Sequence, residues 1–391
     1  MTPSKISIAT VVGAGAMGSG IAQVLAQAGV SVKLYDTKDE ALERAMTKLK
    51  STMDRLVEKG KFQADEAAGI LSRIQPILYL REAADSDLVI EAIYENLEAK
   101  RSVFTTLDDV VSADCIFASN TSSLSIAAIS SGVKNPKRLI GLHFFNPAPL
   151  MPLVEIVPSL ATDPEVLQRC VESVKAWGKI GVIAKDSPGF IVNRVARPFY
   201  AEAMNILEEG LADVPTIDWA MTELGGFRMG PFALMDLIGH DVNYTVTETV
   251  WTQFYYDPRF RPNLSQKRLV EAGWLGKKTG RGFYDYHADA LPVKAQENVE
   301  AGRSILHRIL ALLINEAADA IYRSVAAPSD LETAMTKGVN YPKGLLAWGA
   351  EWGFGNALQH LEELQQRTGD PRYRPCPLLK DWALQAPNFT L

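Results

Sequence analysis

The chain has 391 residues, a formal net charge of −6, 47% hydrophobic and 22% charged residues. Its length suggests two or three domains of about 150 residues, and an acidic balance with no basic, aromatic-interleaved patch argues against nucleic-acid binding. No apolar run reaches membrane-spanning length, and residues 1–5 carry no apolar signal core, so no membrane partner and a cytoplasmic location are expected. The three cysteines, Cys115, Cys170 and Cys376, form no paired motif. They fit a reducing compartment, and no His/Cys spacing suggests a metal site.

The first element is an apolar, β-branched run, Ile6 to Val12, followed at once by Gly13, Gly15 and Gly18 in GxGxxG spacing. A helical pattern follows through Ile21, Val24, Leu25 and Ala28, and Gly29 stops it. Ser31 to Tyr35 reads as a second strand ending at Asp36, 18 residues beyond Gly18. Gly13 permits the tight turn, Gly15 lets backbone approach a pyrophosphate, and Gly18 lets the helix pack on the strand. The helix N-terminus offers free N–H groups to phosphate. Met17 lies inside this loop and counts among the cofactor-facing residues. Asp36 would bond both ribose hydroxyls and repel a 2′-phosphate, so the cofactor is read as NAD rather than NADP. The bland alternative is a glycine-rich turn that binds no nucleotide.

Ala41 to Lys61 is a long amphipathic stretch, and Ala64 to Ser72 a second helix. Together they make a helical hairpin arm at 41–72, larger than a βαβ crossover requires. Strand patterns then recur at Leu88–Ala92, Ile116–Ser119, Leu139–Phe144, Leu153–Val157 and before Ile183, with a helix at Lys100–Val110. Strands alternating with helices indicate a mostly parallel sheet. The fold class is α/β: a Rossmann-type domain at 1–185, then two related all-α domains at 186–286 and 303–391, joined by a polar linker. The relation is a repeat. Glu202-Ala203 recurs as Glu316-Ala317, Ala220-Met221-Thr222 as Ala334-Met335-Thr336, and Gly230 as Gly344, all at an offset of 114 residues. The second copy lacks the segment Pro188 to Arg194; if that segment carries chemistry, the second copy is a packing element rather than a second active site.

His143 follows a strand-like run, and strand ends are where ligands bind in open α/β sheets. Histidine is also the common general base near neutral pH. Glu155 sits in an apolar strand, where a carboxylate is costly unless paired, and His143 is its natural partner. A core histidine beside an edge-strand glutamate is the alternative. Asn120, Ser122 and the hydroxyls around them form a polar turn that faces a cofactor and substrate or simply caps a helix. Glu95 and Lys100 read either as contacts to cofactor ribose and phosphates or as an exposed helical pair. Asn193 lies early in a helix, where it is mildly unfavourable without a bonded partner. Lys59 and Lys278 are candidate phosphate contacts or plain solvated lysines.

Together, Gly13 to Gly18 with Asp36, Glu91 to Glu95, Asn120 to Ser123, His143-Phe-Phe-Asn146-Pro147, Glu155 and Pro188 to Arg194 resemble the L-3-hydroxyacyl-CoA dehydrogenase family over essentially the whole chain. The resemblance implies NAD as cofactor and an acyl-CoA substrate. His143 resembles the catalytic base and Glu155 its partner; Ser122 and Asn193 resemble the residues that hold the substrate's oxygens. Glu95, Lys100, Asn120, Asn146 and Lys278 resemble cofactor contacts. Lys59 resembles a CoA-phosphate contact, with Thr52 where the family has a serine. The doubled helical half, with Asn193 to Tyr200, Val339 to Pro342 and Tyr373 to Leu379, is similar to bacterial 3-hydroxyadipyl-CoA dehydrogenases of phenylacetate breakdown, although those carry an additional segment between the copies. 3-Hydroxybutyryl-CoA dehydrogenase, a non-catalytic NAD-binding protein and a dehydrogenase of free hydroxyacids are the alternatives. Arg197, with its planar fork, is a candidate for a distal substrate carboxylate or for a structural bond. Single-copy relatives are expected to dimerise through the helical domain, so this chain is either a homodimer or a monomer paired internally.

Overall fold

The computed structural model describes residues 6–291 and 293–385. The reading of residues 1–5 as lacking a signal core therefore lies outside the described residues. The chain divides into two compact units, Met1–Ser187 and Pro188–Leu391.

The first unit is built on an eight-stranded sheet. Its strands are β1 (Ile8–Val12), β2 (Ser31–Tyr35), β3 (Ile74–Ile77), β4 (Leu88–Glu91), β5 (Ile116–Ser119), β6 (Leu139–Phe144), β7 (Leu153–Pro158) and β8 (Ile180–Ile183), in the order β3-β2-β1-β4-β5-β6-β7-β8. Neighbours from β3 to β6 run parallel, β6 and β7 are antiparallel, and β7 and β8 are parallel again. The near-continuous apolar runs of β1, β4 and β5 reflect cover on both faces. Strand order reverses at β1 and β4, and ligands bind in the crevice beyond the strand ends at such a point. β3 was not legible in advance: Pro76 interrupts it and donates no hydrogen bond, which a sheet tolerates only at an edge.

Among the described residues, six α-helices accompany the sheet: α1 (Ala16–Gln27), α2 (Asp39–Glu58), α3 (Ala64–Ser72), α4 (Leu97–Asp108), α5 (Ile126–Ser130) and α6 (Pro164–Ala176). The expected arm is α2 and α3. Of α2, only the stripe Leu42, Ala45, Leu49 and Met53 is buried, and the remaining faces present charge to solvent. α6 is a further helix the apolar pattern did not announce, since it buries only Cys170 and Val174.

The second unit is helical: α7 (Val192–Val195), α8 (Arg197–Glu208), α9 (Val214–Trp219), α10 (Pro231–Ile238), α11 (His240–Gln253), α12 (Leu264–Glu271), α13 (Val299–Tyr322), α14 (Pro328–Gly338), α15 (Leu345–Trp352), α16 (Phe354–Thr368) and α17 (Pro377–Gln385). The repeat extends to individual bonds. Asp218 accepts from the backbone N–H of Phe232 and Ala233, at 2.9 and 2.9 Å. One repeat later, Glu332 accepts from Leu346 and Ala347, at 2.9 and 3.2 Å. A Cβ on Gly230 would overlap Asp218, and one on Gly344 would overlap Glu332, which explains glycine at both places. Gly239 and Gly353, with φ of 99° and 96°, join successive helices in each copy.

The copies also bind each other reciprocally. Arg194 bonds Glu316 at 2.6 Å, and Arg308 bonds Glu202 at 2.5 Å. Each residue of the first pair lies one repeat from its counterpart in the second, the self-complementary pattern of a two-fold interface. The segments expected as separate domains at 186–286 and 303–391 thus lie within one compact unit. α13 is buried along most of its length, because each copy covers the apolar face of the other.

Candidate active site

The glycine loop closes against the sheet. Gly13 has a φ of 106°, and a Cβ there would collide with the backbone of Ala92. A Cβ on Gly18 would overlap the carbonyl of Gly13, so helix and strand meet backbone to backbone. Gly15 differs, since a Cβ there would meet nothing within 4 Å: its backbone faces open space, as close approach of a pyrophosphate requires. No side chain caps α1 and no acid lies in its first turn, leaving its N–H groups and positive end for an anion. Asp36 accepts from the N–H groups of Ala14 at 2.8 Å and Lys38 at 3.1 Å, which fixes its carboxylate at the end of β2. A cavity of about 950 Å³ runs past Gly13, Gly15, Asp36, Arg44, Lys48 and Tyr94. These residues fit a dinucleotide. Met17 is half-buried and packs on the apolar core.

At the ends of β4 and β5 lies a buried charge network. Lys100 is 1% exposed; its ammonium bonds Glu91 at 2.7 Å and Glu95 at 3.2 Å. Glu91 also accepts from the Ser119 hydroxyl at 2.6 Å and the Ile93 N–H at 2.7 Å. Burial pushes the Glu91 carboxyl up despite these partners. Burial acts on Glu95 too, but the Lys100 charge and the hydroxyls of Thr121 and Ser123 outweigh it and hold that carboxyl below the usual range. Glu95 accepts from Thr121, from the N–H groups of Ser122 and Ser123, and from the Ser123 hydroxyl. The alternative reading of Glu95 and Lys100 as an exposed helical pair is corrected here, since Lys100 is buried. Its ammonium faces two glutamates, and through Glu95 it fixes the turn that carries Asn120 and Ser122. Glu91 was not singled out beforehand, because a glutamate closing an apolar strand gives no sign of its partner nine residues on.

Asn120 joins this turn to the next strand by accepting from the Phe144 N–H at 2.8 Å. In the antiparallel pairing of β6 and β7, His143 stands directly opposite Glu155. The separation of 12 residues is set by the loop 145–152, which turns the chain back so that the two residues pair. His143 Nδ1 and Glu155 Oε2 are 2.6 Å apart; the histidine is 6% exposed and the glutamate fully buried. A buried carboxylate is tolerable only with such a partner, and the bond fixes the orientation of the ring. Asn146 is exposed on the loop that follows, and Ser122 is half-buried on the Asn120 turn. The first unit thus brings His143, Glu155, Asn120, Ser122 and Asn146 to the strand ends on one side of the glycine loop.

Two expected residues lie on the arm: Thr52 is half-buried on α2, and Lys59 is exposed at its C-terminal cap. Three lie in the helical unit. Asn193 is in the single turn α7, entered through left-handed Gly189 and Phe190, with φ of 74° and 48°. A Cβ on Gly189 would press on the Arg194 nitrogen at 2.9 Å, so the Pro188-Gly-Phe motif builds a tight entry to that turn. Arg197 is 5% exposed, bonds the Thr247 hydroxyl at 3.1 Å and faces the Tyr200 ring at 4.9 Å. No carboxylate pairs with it among the described residues. Lys278 forms an exposed ion pair with Asp241 at 2.5 Å.

Residues 8–187 match the model of the 3-hydroxyacyl-CoA dehydrogenase NAD binding domain, and residues 189–286 and 305–386 match that of the same family's C-terminal domain. The chain is 39% identical to the 3-hydroxyadipyl-CoA dehydrogenase of Escherichia coli K12, covering 97% of this chain and 98% of that protein. That alignment runs over 465 residues, so the relative carries residues this chain lacks. The probable 3-hydroxybutyryl-CoA dehydrogenase of Bacillus subtilis is 44% identical over 71% of this chain and 96% of its own. A crystal structure titled 3-hydroxybutyryl-CoA dehydrogenase from Escherichia coli K12 superposes with a TM-score of 0.92, at 38% identity, over 97% of this chain and 99% of that one. The chain belongs to the 3-hydroxyacyl-CoA dehydrogenase family of NAD-dependent oxidoreductases.

Proposed function

We propose that the chain oxidises the C3 hydroxyl of an L-3-hydroxyacyl-CoA to the 3-ketoacyl-CoA, with His143 as the base. The observation that carries this reading is the buried His143–Glu155 pair across β6 and β7 of the unit that carries the glycine loop. NAD, when bound, supplies the hydride acceptor. Glu155 holds Nδ1 and orients the ring, so the hydroxyl proton passes to Nε2 as hydride departs from C3. The buried carboxylate then stabilises the imidazolium. In the reverse direction the imidazolium returns the proton. Ser122 and Asn193 hold the substrate's oxygens. Asp36, Glu95, Asn120 and Asn146 hold the cofactor, and Lys59 and Thr52 on the arm meet the phosphates of CoA.

Similarity through both helical copies to a protein named 3-hydroxyadipyl-CoA dehydrogenase favours a carboxylate-ended substrate, as in phenylacetate breakdown. Arg197 then meets the distal carboxylate. The second reading is 3-hydroxybutyryl-CoA, the substrate named for the single-copy relatives. The reciprocal Arg–Glu pairs of the two copies favour a monomer paired internally, and a dimer by light scattering would contradict this. The substrate test is NADH formation from L-3-hydroxyadipyl-CoA and L-3-hydroxybutyryl-CoA, compared as kcat/KM. Preference for the adipyl substrate, lost in Arg197→Met, is the expected result. Preference for the butyryl substrate would overturn the dicarboxylate reading, and activity with neither, despite NAD binding, would leave a non-catalytic NAD-binding protein.

A further inference from the structure

The loop between the two strands of the histidine–glutamate pair is poor in donors of its own. It runs from Phe145 to Pro152 and contains Pro147, Pro149 and Pro152, none of which has a backbone N–H. The N–H groups of Leu150 and Met151 both turn back to the carbonyl of Pro147, at 2.9 and 3.0 Å. The carbonyls of residues 148, 149 and 151 must find donors elsewhere.

One side chain meets all three. The ammonium of Lys179 lies 2.6 Å from the carbonyl of Ala148, 2.8 Å from that of Met151 and 3.5 Å from that of Pro149. An ammonium has three N–H donors and no acceptor, so the match is complete. The delivery of Lys179 is also fixed. Gly178, at a φ of 72°, turns the chain out of α6, and the Lys179 N–H bonds the carbonyl of Val174 at 3.1 Å. The next residue begins β8, where the Ile180 N–H bonds the carbonyl of Pro152 at 2.8 Å. Opposite the lysine, the loop lies on the cofactor helix: a Cβ on Gly20 would come within 3.2 Å of Pro149 and 3.3 Å of Ala148. The loop is therefore held between α1 and Lys179. Half-burial without a carboxylate partner lowers the pKa of the lysine, which marks the environment as one where an ammonium is held at a cost.

We infer that Lys179 is a positioning residue of the reaction, which fixes the 145–152 loop and with it Asn146 where the cofactor is held beside His143. This inference rests on the proposed reading of Asn146 as a cofactor contact. Lys179 touches neither reacting atom; it acts through the backbone it binds.

The experiment compares wild type with Lys179→Ala and Lys179→Met, the second keeping the apolar stem in case the first fails to fold. NAD affinity is read by fluorescence titration, turnover by NADH formation, and folding by thermal melting. Both variants are expected to bind NAD more weakly and to lose about ten- to a hundred-fold in kcat/KM for NAD, the scale of hydrogen bonds to a charged group, with Tm within a few degrees of wild type. Propylammonium, the part of the side chain that Lys179→Ala deletes, should restore NAD affinity and rate saturably, while 1-propanol should not. Wild-type-like NAD affinity and rate in both variants would overturn the inference, as would a loss accompanied by a collapse of Tm and no amine rescue. Wild type that binds NAD but turns over no acyl-CoA substrate would instead contradict the proposed function, and the binding and rescue arms would still decide the role of Lys179.

Discussion

Two histidine–carboxylate pairs share one distance and differ in their surroundings. His143 Nδ1 meets Glu155 at 2.6 Å in the first unit; His240 Nε2 meets Asp236 at 2.6 Å in the second. His240 is fully enclosed, at 0% exposure. Its ring packs edge-on against Phe283, with centroids 5.0 Å apart. Asp236 also accepts from the N–H groups of Phe283 and Tyr284 and from the Tyr286 hydroxyl, at 3.0, 2.9 and 2.9 Å. The Gly276 to Gly282 stretch wraps this carboxylate, and a Cβ at either end would overlap Asp236. The pair pins a loop to helices α10 and α11. A histidine on a buried acid is thus not itself a catalytic signal. What separates His143 is its position near the end of β6 in the NAD-binding unit, and the proposed role as base rests on that position.

The sharpest way to break this comparison is His143→Gln. Turnover should fall about 10²- to 10⁴-fold, the worth of a positioned general base, with NAD affinity unchanged and little loss of Tm, because the glutamine amide keeps an N–H donor for Glu155. Glu155→Gln should fall toward the lower end of that range, since the base remains and only its orientation and charge partner are lost. In the helical unit, loss of a buried partner should instead cost stability. Arg308→Met leaves Glu202 with Asn205 and the Tyr373 hydroxyl as partners and should destabilise by about 3 kcal/mol in urea titration. Arg194→Met should cost less, because Arg259 also reaches Glu316 and Asp319, at 3.2 and 3.0 Å.

Asp236→Asn should cost about 2 kcal/mol at neutral pH with turnover of the folded enzyme retained. Burial alone would raise the Asp236 carboxyl, but bonds from His240, Tyr284, Phe283 and Tyr286 hold it below its ordinary value of 3.8. A depressed pKa contributes stability that is present above 3.8 and lost as pH falls through the lower folded value. The gap between wild type and Asp236→Asn should therefore close in acid, read from denaturation midpoints as a function of pH. The smallest effect should come from the repeated caps. Glu332→Ala should cost about 1 kcal/mol, and Asp218→Ala more, since only Asp218 also accepts from a tyrosine, Tyr284, at 2.8 Å.

Local chemistry was legible in the sequence and long-range chemistry was not. Gly13, Gly15, Gly18 and Asp36 could be read because each answers a local backbone or charge requirement. Glu155 could be read because a carboxylate in an apolar strand demands a partner. The repeat could be read from identity at one offset, but not the reciprocal Arg194–Glu316 and Arg308–Glu202 pairs that join its copies. Glu95 and Lys100 could be read as a pair, but not the burial of that pair, because Glu91 joins it only when β4 and α4 fold together. Lys179 left no sign at all, since its partners are carbonyls about 30 residues away, and a carbonyl has no letter in the sequence.

The most direct measurement is NADH formation from L-3-hydroxybutyryl-CoA and L-3-hydroxyadipyl-CoA by His143→Gln and Asp236→Asn beside wild type, each shown folded by melting in the same buffer. The expected result is an inactive, stable His143→Gln and an active, less stable Asp236→Asn. A His143→Gln enzyme that keeps wild-type turnover with either substrate would contradict the assignment of His143 as the base.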